Sequence, residues 1–159
     1  RHGSQYWSMV SEMPREIIGG KYEPPGFLPL TMGVIYEKNG NIKNSEFQEN
    51  TPAYEHFTAV HEFWRKYNIE NVARAAFFKL HVGGSVPNHI DDGTYYLTKD
   101  RYHLSLQGEY DYTCNGETHR IKPGMFFWFD NKDYHDAKVI GDKERITLVF
   151  DVPHSANNP

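Results

Sequence analysis

The most regular stretch of the chain lies at residues 52–67, where Ala53, Phe57, Val60, Trp64 and Tyr67 recur at spacings of four, three, four and three. That period lines them up along one face of a helix. Thr51 can cap its start through the hydroxyl, and Pro52 suits the first helical position, where no backbone N–H is needed. Upstream, the run Glu-Pro-Pro-Gly-Phe-Leu-Pro-Leu at 23–30 cannot sit inside a helix, because its prolines lack the donor and fix φ. It is predicted as an extended lead-in. Residues 31–37 then read as a strand stopped by Asn39-Gly40, with polar loop from there to Asn50.

After Asn71 the pattern changes to short runs rich in Val, Ile, Phe, Tyr and Thr, broken by turn chemistry at Gly83-Gly84, Asn115-Gly116 and Pro123-Gly124. Strands are predicted at 72–82, 101–107, 109–114, 117–121, 125–129 and 145–152. Asn115-Gly116 is a hairpin signal, because both residues tolerate positive φ. In the last run Ile146, Leu148 and Phe150 alternate against Arg145, Thr147 and Val149. The expectation is a mainly β fold, a cupin-like jelly roll or double-stranded β-helix with at least one flanking N-terminal helix. A length of 159 residues suits one domain, expected at 5–159 with the β core at 72–153. Arg1-His2-Gly3-Ser4 reads as the remnant of an expression tag, and no internal repeat or low-complexity stretch is seen.

Composition narrows the partners. Seventeen basic residues against twenty-one acidic ones give a net charge of −4, and no basic block is present. Nucleic acid is therefore not an expected partner, whereas a small-molecule or peptide substrate is. A single cysteine leaves no internal disulfide or cysteine-rich zinc module and suits a reducing compartment such as the cytoplasm. No apolar run approaches the ~20 residues that span a bilayer, so no membrane association is expected.

Two polar residues stand at i and i+2 in Pro87-Asn88-His89-Ile90-Asp91. On an extended backbone His89 and Asp91 point to the same side and can share one metal ion. A third ligand from a distant strand would complete a 2-His-1-carboxylate facial triad, which leaves coordination positions open and favours non-haem iron(II). His135, shortly after Trp128-Phe129-Asp130, is the candidate. By itself such a pair is ordinarily a solvated loop feature. Ten residues on, Arg145 lies on the face opposite Ile146, Leu148 and Phe150, projecting into an otherwise apolar barrel. A guanidinium there needs an anion, and its planar fork matches a carboxylate. A surface salt bridge to Glu144 or Asp142 is the alternative, and Arg145 alone does not choose between them. Arg101, His103, Ser105 and Gln107 alternate with Tyr102, Leu104 and Leu106, so this strand carries one polar face, turned to solvent or to the barrel mouth. Lys79 and His81 read as structural, His119 as an exposed hairpin residue, His56 and His61 as surface, and His154 without a role. Cys114 has no cationic neighbour in sequence to make it a nucleophile.

Taken in order, these pieces resemble the aspartyl/asparaginyl β-hydroxylase-like family of 2-oxoglutarate oxygenases. The resemblance is carried by Pro87-Asn88-His89 with Asp91, Arg101-Tyr102-His103-Leu104-Ser105-Leu106, Cys114-Asn115-Gly116-Glu117, Gly124 through Phe129-Asp130, His135, Arg145 and Asp151-Val152. It implies iron(II) held by His89 and His135, 2-oxoglutarate with its distal carboxylate on Arg145, and a cosubstrate pocket lined by Arg101 and His103. It further implies a dioxygenase that consumes O2, releases succinate and CO2, and hydroxylates an amino acid, a peptide or protein Asp/Asn-type residue, or a small polar metabolite. The best-known animal members look as though they lack the carboxylate ligand, whereas Asp91 stands in its usual position here. The resemblance therefore implies the ordinary triad and speaks against a halogenase. The segment up to Asn71 and the loop 92–100, with Tyr95, Tyr96 and Lys99, are expected to shape the substrate site. A cupin-like metalloenzyme without 2-oxoglutarate and a non-catalytic jelly-roll binding module are the other readings.

Overall fold

The structure, a computed structural model, describes residues 26–33, 37–38, 41–42, 48–91 and 94–154. Its strands are β1 (Phe27–Gly33), β2 (Glu37–Lys38), β3 (Asn41–Ile42), β4 (Gln48–Asn50), β5 (Ala75–Leu80), β6 (Ser85–His89), β7 (Lys99–Gln107), β8 (Glu109–Cys114), β9 (Glu117–Ile121), β10 (Phe126–Trp128), β11 (His135–Ile140) and β12 (Arg145–Pro153). A 3-10 turn at Tyr54–His56 leads into helix α1 (Thr58–Lys66), and a short helix α2 (Thr94–Leu97) precedes β7.

A six-stranded sheet runs β10-β7-β12-β5-β1-β4, a four-stranded sheet runs β6-β11-β8-β9, and β2-β3 form a separate ribbon. The assigned pairings are antiparallel. Because neighbours in each sheet are mostly non-consecutive in sequence, the chain passes back and forth between two layers. This is the mainly β, double-stranded β-helix architecture expected from the strand pattern. Asn115 and Gly116 both take positive φ, 50° and 79°, and join β8 to β9 with Cys114 opposite Glu117. No described helix is long and apolar enough to cross a membrane.

Alternation along β12 divides the two faces of the large sheet. Ile146, Leu148 and Phe150 turn outward and pack with Leu28, Leu30, Phe77, Phe57 and Val60 beneath α1, where the Trp64 and Phe150 rings lie 4.7 Å apart. That face is the aliphatic core. The opposite face, which meets the small sheet, carries Arg145, Thr147, Val149 and Asp151, all buried. The barrel interior that Arg145 enters is therefore polar and aromatic rather than apolar, because the helix covers the outer face and takes the aliphatic side chains.

Several elements differ from expectation. The helix predicted at 52–67 starts only at Thr58 and is capped by no side chain. Thr51 is buried, and its hydroxyl donates 2.7 Å to the Pro29 carbonyl while its N–H donates 2.8 Å to the Leu30 carbonyl. Those bonds tie it to the end of β1 instead of to a helix. Tyr67, read as part of the apolar stripe, is 58% exposed. The first strand begins at Phe27, inside the proline-bearing lead-in, and ends at Gly33; its register with β5 shifts between Pro29 and Thr31, next to the residue that has no donor. The stretch read as polar loop contributes β3 and β4. The 92–100 loop contains α2, and β6 and β11 are strands that the pattern did not announce. Residues 1–4, the Asn39-Gly40 turn and Asp92-Gly93 lie outside the described residues.

Candidate active site

His89 is the last residue of β6 and His135 the first of β11, and the two are direct cross-strand partners. Opposed residues on antiparallel strands put their side chains on the same face, so the imidazole centroids lie 4.3 Å apart. Asp91 follows two residues after His89, held by its N–H donating 2.9 Å to the Asn131 carbonyl. Its Oδ1 lies 3.4 Å from His89 Nε2 and 3.9 Å from His135 Nε2, and one donor atom from each of the three residues falls within 4.8 Å of the others. Both rings are oriented alike. His89 Nδ1 is 2.7 Å from the Pro87 carbonyl and His135 Nδ1 is 2.8 Å from the Asp133 carbonyl. Carbonyls only accept, so each Nδ1 carries a proton and each Nε2 is turned towards Asp91, where it donates to the carboxylate when protonated and offers a lone pair to a metal when neutral.

Asp91 is held from behind. Its Oδ2 accepts from Asn131 Nδ2 at 2.8 Å and from Arg101 NH1 at 3.3 Å. Arg101 in turn places Nε 2.7 Å from Asp151 Oδ1 and NH2 2.9 Å from Asp151 Oδ2, and the Tyr95 hydroxyl donates 2.8 Å to Asp151 Oδ2. Burial works against the charged form of Asp91, but the His89 hydrogen bond, the Arg101 charge and the Asn131 amide outweigh it and hold the carboxyl well below its usual range. The same hydrogen bond to Asp91 raises His89. Burial lowers His135.

A column of polar groups runs from this end along the inner face of the large sheet. Across β12 and β7, Asp151 stands opposite Arg101, Val149 opposite His103 and Thr147 opposite Ser105, with Arg145 at the far end. His103 is buried among Phe127, Phe129 and Tyr112, at centroid distances of 5.1, 5.1 and 5.5 Å, and neither ring nitrogen has a hydrogen-bond partner. Burial first, then the Arg101 and Arg145 charges, push its pKa well below the ordinary histidine value. Arg145 is 5% exposed and stacks on Tyr110, with the guanidinium carbon 5.0 Å from the ring centroid. Its Nε is sealed without a partner, and burial lowers its pKa. The Tyr110, Ser105 and Thr147 hydroxyls are also buried and unpartnered, near one another without closing a hydrogen bond. Glu144, a possible surface partner for Arg145, lies 3.9 Å from Lys79 instead. Buried polar atoms normally find partners, and here a buried guanidinium lies with three hydroxyls close by.

The structure thus brings His89, Asp91 and His135 together and sets His103 and Arg145 inside the barrel. Arg101 is engaged with Asp151 and Asp91 rather than turned to open space. Tyr95 and Tyr96, expected at the substrate site, are 0% and 7% exposed and pack on Arg74; they are core residues, because α2 folds their rings inward. His61, expected at the surface, is half-buried against Tyr54. His119 is exposed beside Glu117, and His154 pairs with Asp100. Burial and the neighbouring acids Asp133, Asp130 and Glu117 raise the Cys114 thiol, as suits an unreactive cysteine. Asn131, Tyr110 and Thr147 escaped sequence reasoning because nothing marks them locally. Asp151 had a signal, its place directly opposite Arg101 in alternating strands.

The sequence profile of the aspartyl/asparaginyl beta-hydroxylase family matches residues 34–155. No curated protein matches the chain. Similar solved structures include a predicted oxalate decarboxylase from Thermotoga maritima, at 21% identity over 57% of this chain and 74% of that one, with a TM-score of 0.45. The cupin domain of Schizosaccharomyces pombe Cnp3 is 19% identical over 54% of this chain and 58% of its own, with a TM-score of 0.46. A conserved protein with a double-stranded beta-helix domain from Klebsiella pneumoniae is 19% identical over 55% of this chain and 72% of its own, with a TM-score of 0.44. By the family profile, which spans most of its length, the chain belongs to the aspartyl/asparaginyl beta-hydroxylase family.

Proposed function

We propose that this protein is an iron(II)- and 2-oxoglutarate-dependent hydroxylase, with His89, Asp91 and His135 holding the metal and Arg145 receiving the distal carboxylate of the cosubstrate. Two imidazoles and one carboxylate, all borderline-hard donors, suit iron(II), and three protein ligands leave positions free for cosubstrate and O2. Adjacent donors on one ion with bonds of ~2.1 Å stand about 3 Å apart, slightly closer than the 3.4 and 3.9 Å separations around Asp91 Oδ1. Small rotations of the two imidazoles would close that gap. When bound, the metal and 2-oxoglutarate supply the O2-derived oxidant, with succinate and CO2 as coproducts.

The chain's own residues do the rest. Asn131 and Arg101 hold Asp91, the Pro87 and Asp133 carbonyls fix the histidine tautomers, and the Phe127, Phe129 and Tyr112 rings exclude water around His103. Arg145 anchors one end of a diacid in a dry site, where charge-assisted hydrogen bonds are strong. The substrate class is an amino acid, a peptide or a small polar metabolite that reaches the open side of the triad.

The observation that carries this reading is Arg145, a buried cation with no acidic partner among the described residues, at the far end of the polar column from the His-Asp-His cluster. A cupin-like enzyme without a dicarboxylate, or a binding module without a metal, gives it nothing to bind. Succinate release from 2-oxoglutarate with iron(II) and ascorbate tests the proposal directly, alongside calorimetric binding of 2-oxoglutarate. Turnover in the parent, lost in Asp91→Ala and in Arg145→Ala, is expected; parent-level turnover in both variants refutes it.

A further inference from the structure

Arg101 spends its donors in an unusual way. The Nε–NH2 edge forms a two-point contact with Asp151, at 2.7 and 2.9 Å, while NH1 reaches Asp91 Oδ2 at 3.3 Å. Asp151, with its side chain 1% exposed, is already satisfied by that contact and by the Tyr95 hydroxyl. A purely structural ion pair would end there. The arginine instead joins a wholly buried acid to Asp91, which faces the two histidines, and it retains no free edge for a bidentate grip on a further carboxylate.

We propose that Arg101, clamped by Asp151, is a positioning residue for Asp91: it ties down Oδ2 so that Oδ1 alone meets the metal. This rests on the metal-centre reading above. Asn131 holds the same oxygen from the other side, so rotation about the Asp91 Cβ–Cγ bond would break two hydrogen bonds. Oδ1 receives neither of them and stands 3.4 Å from His89 Nε2. A ligand fixed before the ion arrives loses little freedom on binding it, which is how outer hydrogen bonds raise metal affinity. Arg101 and Arg145 then have separate duties: one shapes the metal site and the other receives the diacid.

The test separates those duties with Mn(II) as the metal probe, followed by the free-ion spin-resonance signal, and with 2-oxoglutarate titrated calorimetrically at saturating Mn(II). Arg101→Gln and Asp151→Asn are expected to weaken Mn(II) binding by about 10–100-fold while 2-oxoglutarate binds the loaded protein as it binds the parent. Arg145→Gln is expected to give the opposite split. In an Asp91→Ala background, Arg101→Gln should cost no further Mn(II) affinity, because the residue through which it acts is gone. Parent-like Mn(II) affinity in Arg101→Gln, or full additivity with Asp91→Ala, overturns the proposal. Arg101→Lys serves if the neutral variants do not fold; it keeps the charge, lacks the fork, and is also expected to bind Mn(II) more weakly, parent-like binding being the contrary result. A parent that binds no Mn(II) refutes the metal centre itself, an outcome distinct from a parent that binds and variants that bind equally well.

Discussion

The guanidinium of Arg145 lies over the ring of Tyr110, 5.0 Å from carbon to centroid, and neither the arginine Nε nor the phenol hydroxyl has a hydrogen-bond partner. The cation is therefore paired with a π face and not with an acid. A buried charge held only this way costs stability, and even buried ion pairs can often be replaced by apolar side chains of similar volume with no loss or with a gain of about 1–4 kcal/mol. Arg145→Met is expected to raise the urea midpoint of the metal-free protein while abolishing detectable 2-oxoglutarate binding. A variant that is less stable yet still binds would show that the arginine serves packing.

Metal loading should be readable in stability. A ligand at 100 times its Kd stabilises the folded state by about 2.7 kcal/mol. Mn(II) is expected to raise the melting temperature of the parent, an effect reversed by chelator and absent in Asp91→Ala and His135→Ala. Equal shifts in parent and variants would place the ion elsewhere.

His103 sets a pH dependence with a definite sign. Burial holds its pKa well below the ordinary value in the folded protein, so below about pH 6.5 the unfolded chain takes up a proton that the folded chain refuses. Stability then falls as pH drops, by up to about 1.4 kcal/mol per pH unit for one such group. His89, whose pKa is raised, works in the opposite direction in parent and variant alike. Denaturant titrations of the parent and of His103→Phe should draw apart in the variant's favour between pH 6.5 and 5.5. A gap that does not change with pH would mean that His103 titrates normally.

Gly108 lets the chain turn from the large sheet into the small one directly beside the anchor arginine. Its φ is +78°, and a Cβ there would lie 2.6 Å from the Glu144 carbonyl oxygen and 3.0 Å from the Arg145 Cα. Both the backbone conformation and the contact penalise any side chain, so Gly108→Ala is expected to lose about 2 kcal/mol or more. Because the clash pushes on Arg145, 2-oxoglutarate affinity should fall while Mn(II) affinity holds. Unchanged denaturant midpoints would contradict this.

Legibility from sequence followed the strength of local signals. Asn115-Gly116 announced the β8–β9 hairpin because its backbone conformation is a property of those two residues. His89 and Asp91 were visible because their spacing survives any extended conformation. By contrast, β11 has only Ala137 and Val139 beside His135 on its inner side, and β6 carries a proline, an asparagine and a single aliphatic residue; β11 is a strand because it pairs with β8 and β6, and β6 because it pairs with β11. Alternation in β12 showed which residues share a face, yet not which layer each face meets. That depended on α1 covering the outer side. Thr51 looked like a helix cap because capping is local, whereas its real acceptor is Pro29, twenty-two positions away in sequence. Asn131 supports the site through a long-range contact with Asp91 and has no signature of its own.

The His-Asp-His cluster rides on β6, β11 and Asp91 just beyond β6, whereas His103 and Arg145 belong to the opposite layer. A diacid gripped at one end by Arg145 and at the other by an ion on the cluster would rivet the two layers together. Metal and cosubstrate would each tighten the other's hold through the sandwich, so melting the doubly loaded protein should require both contacts to break at once.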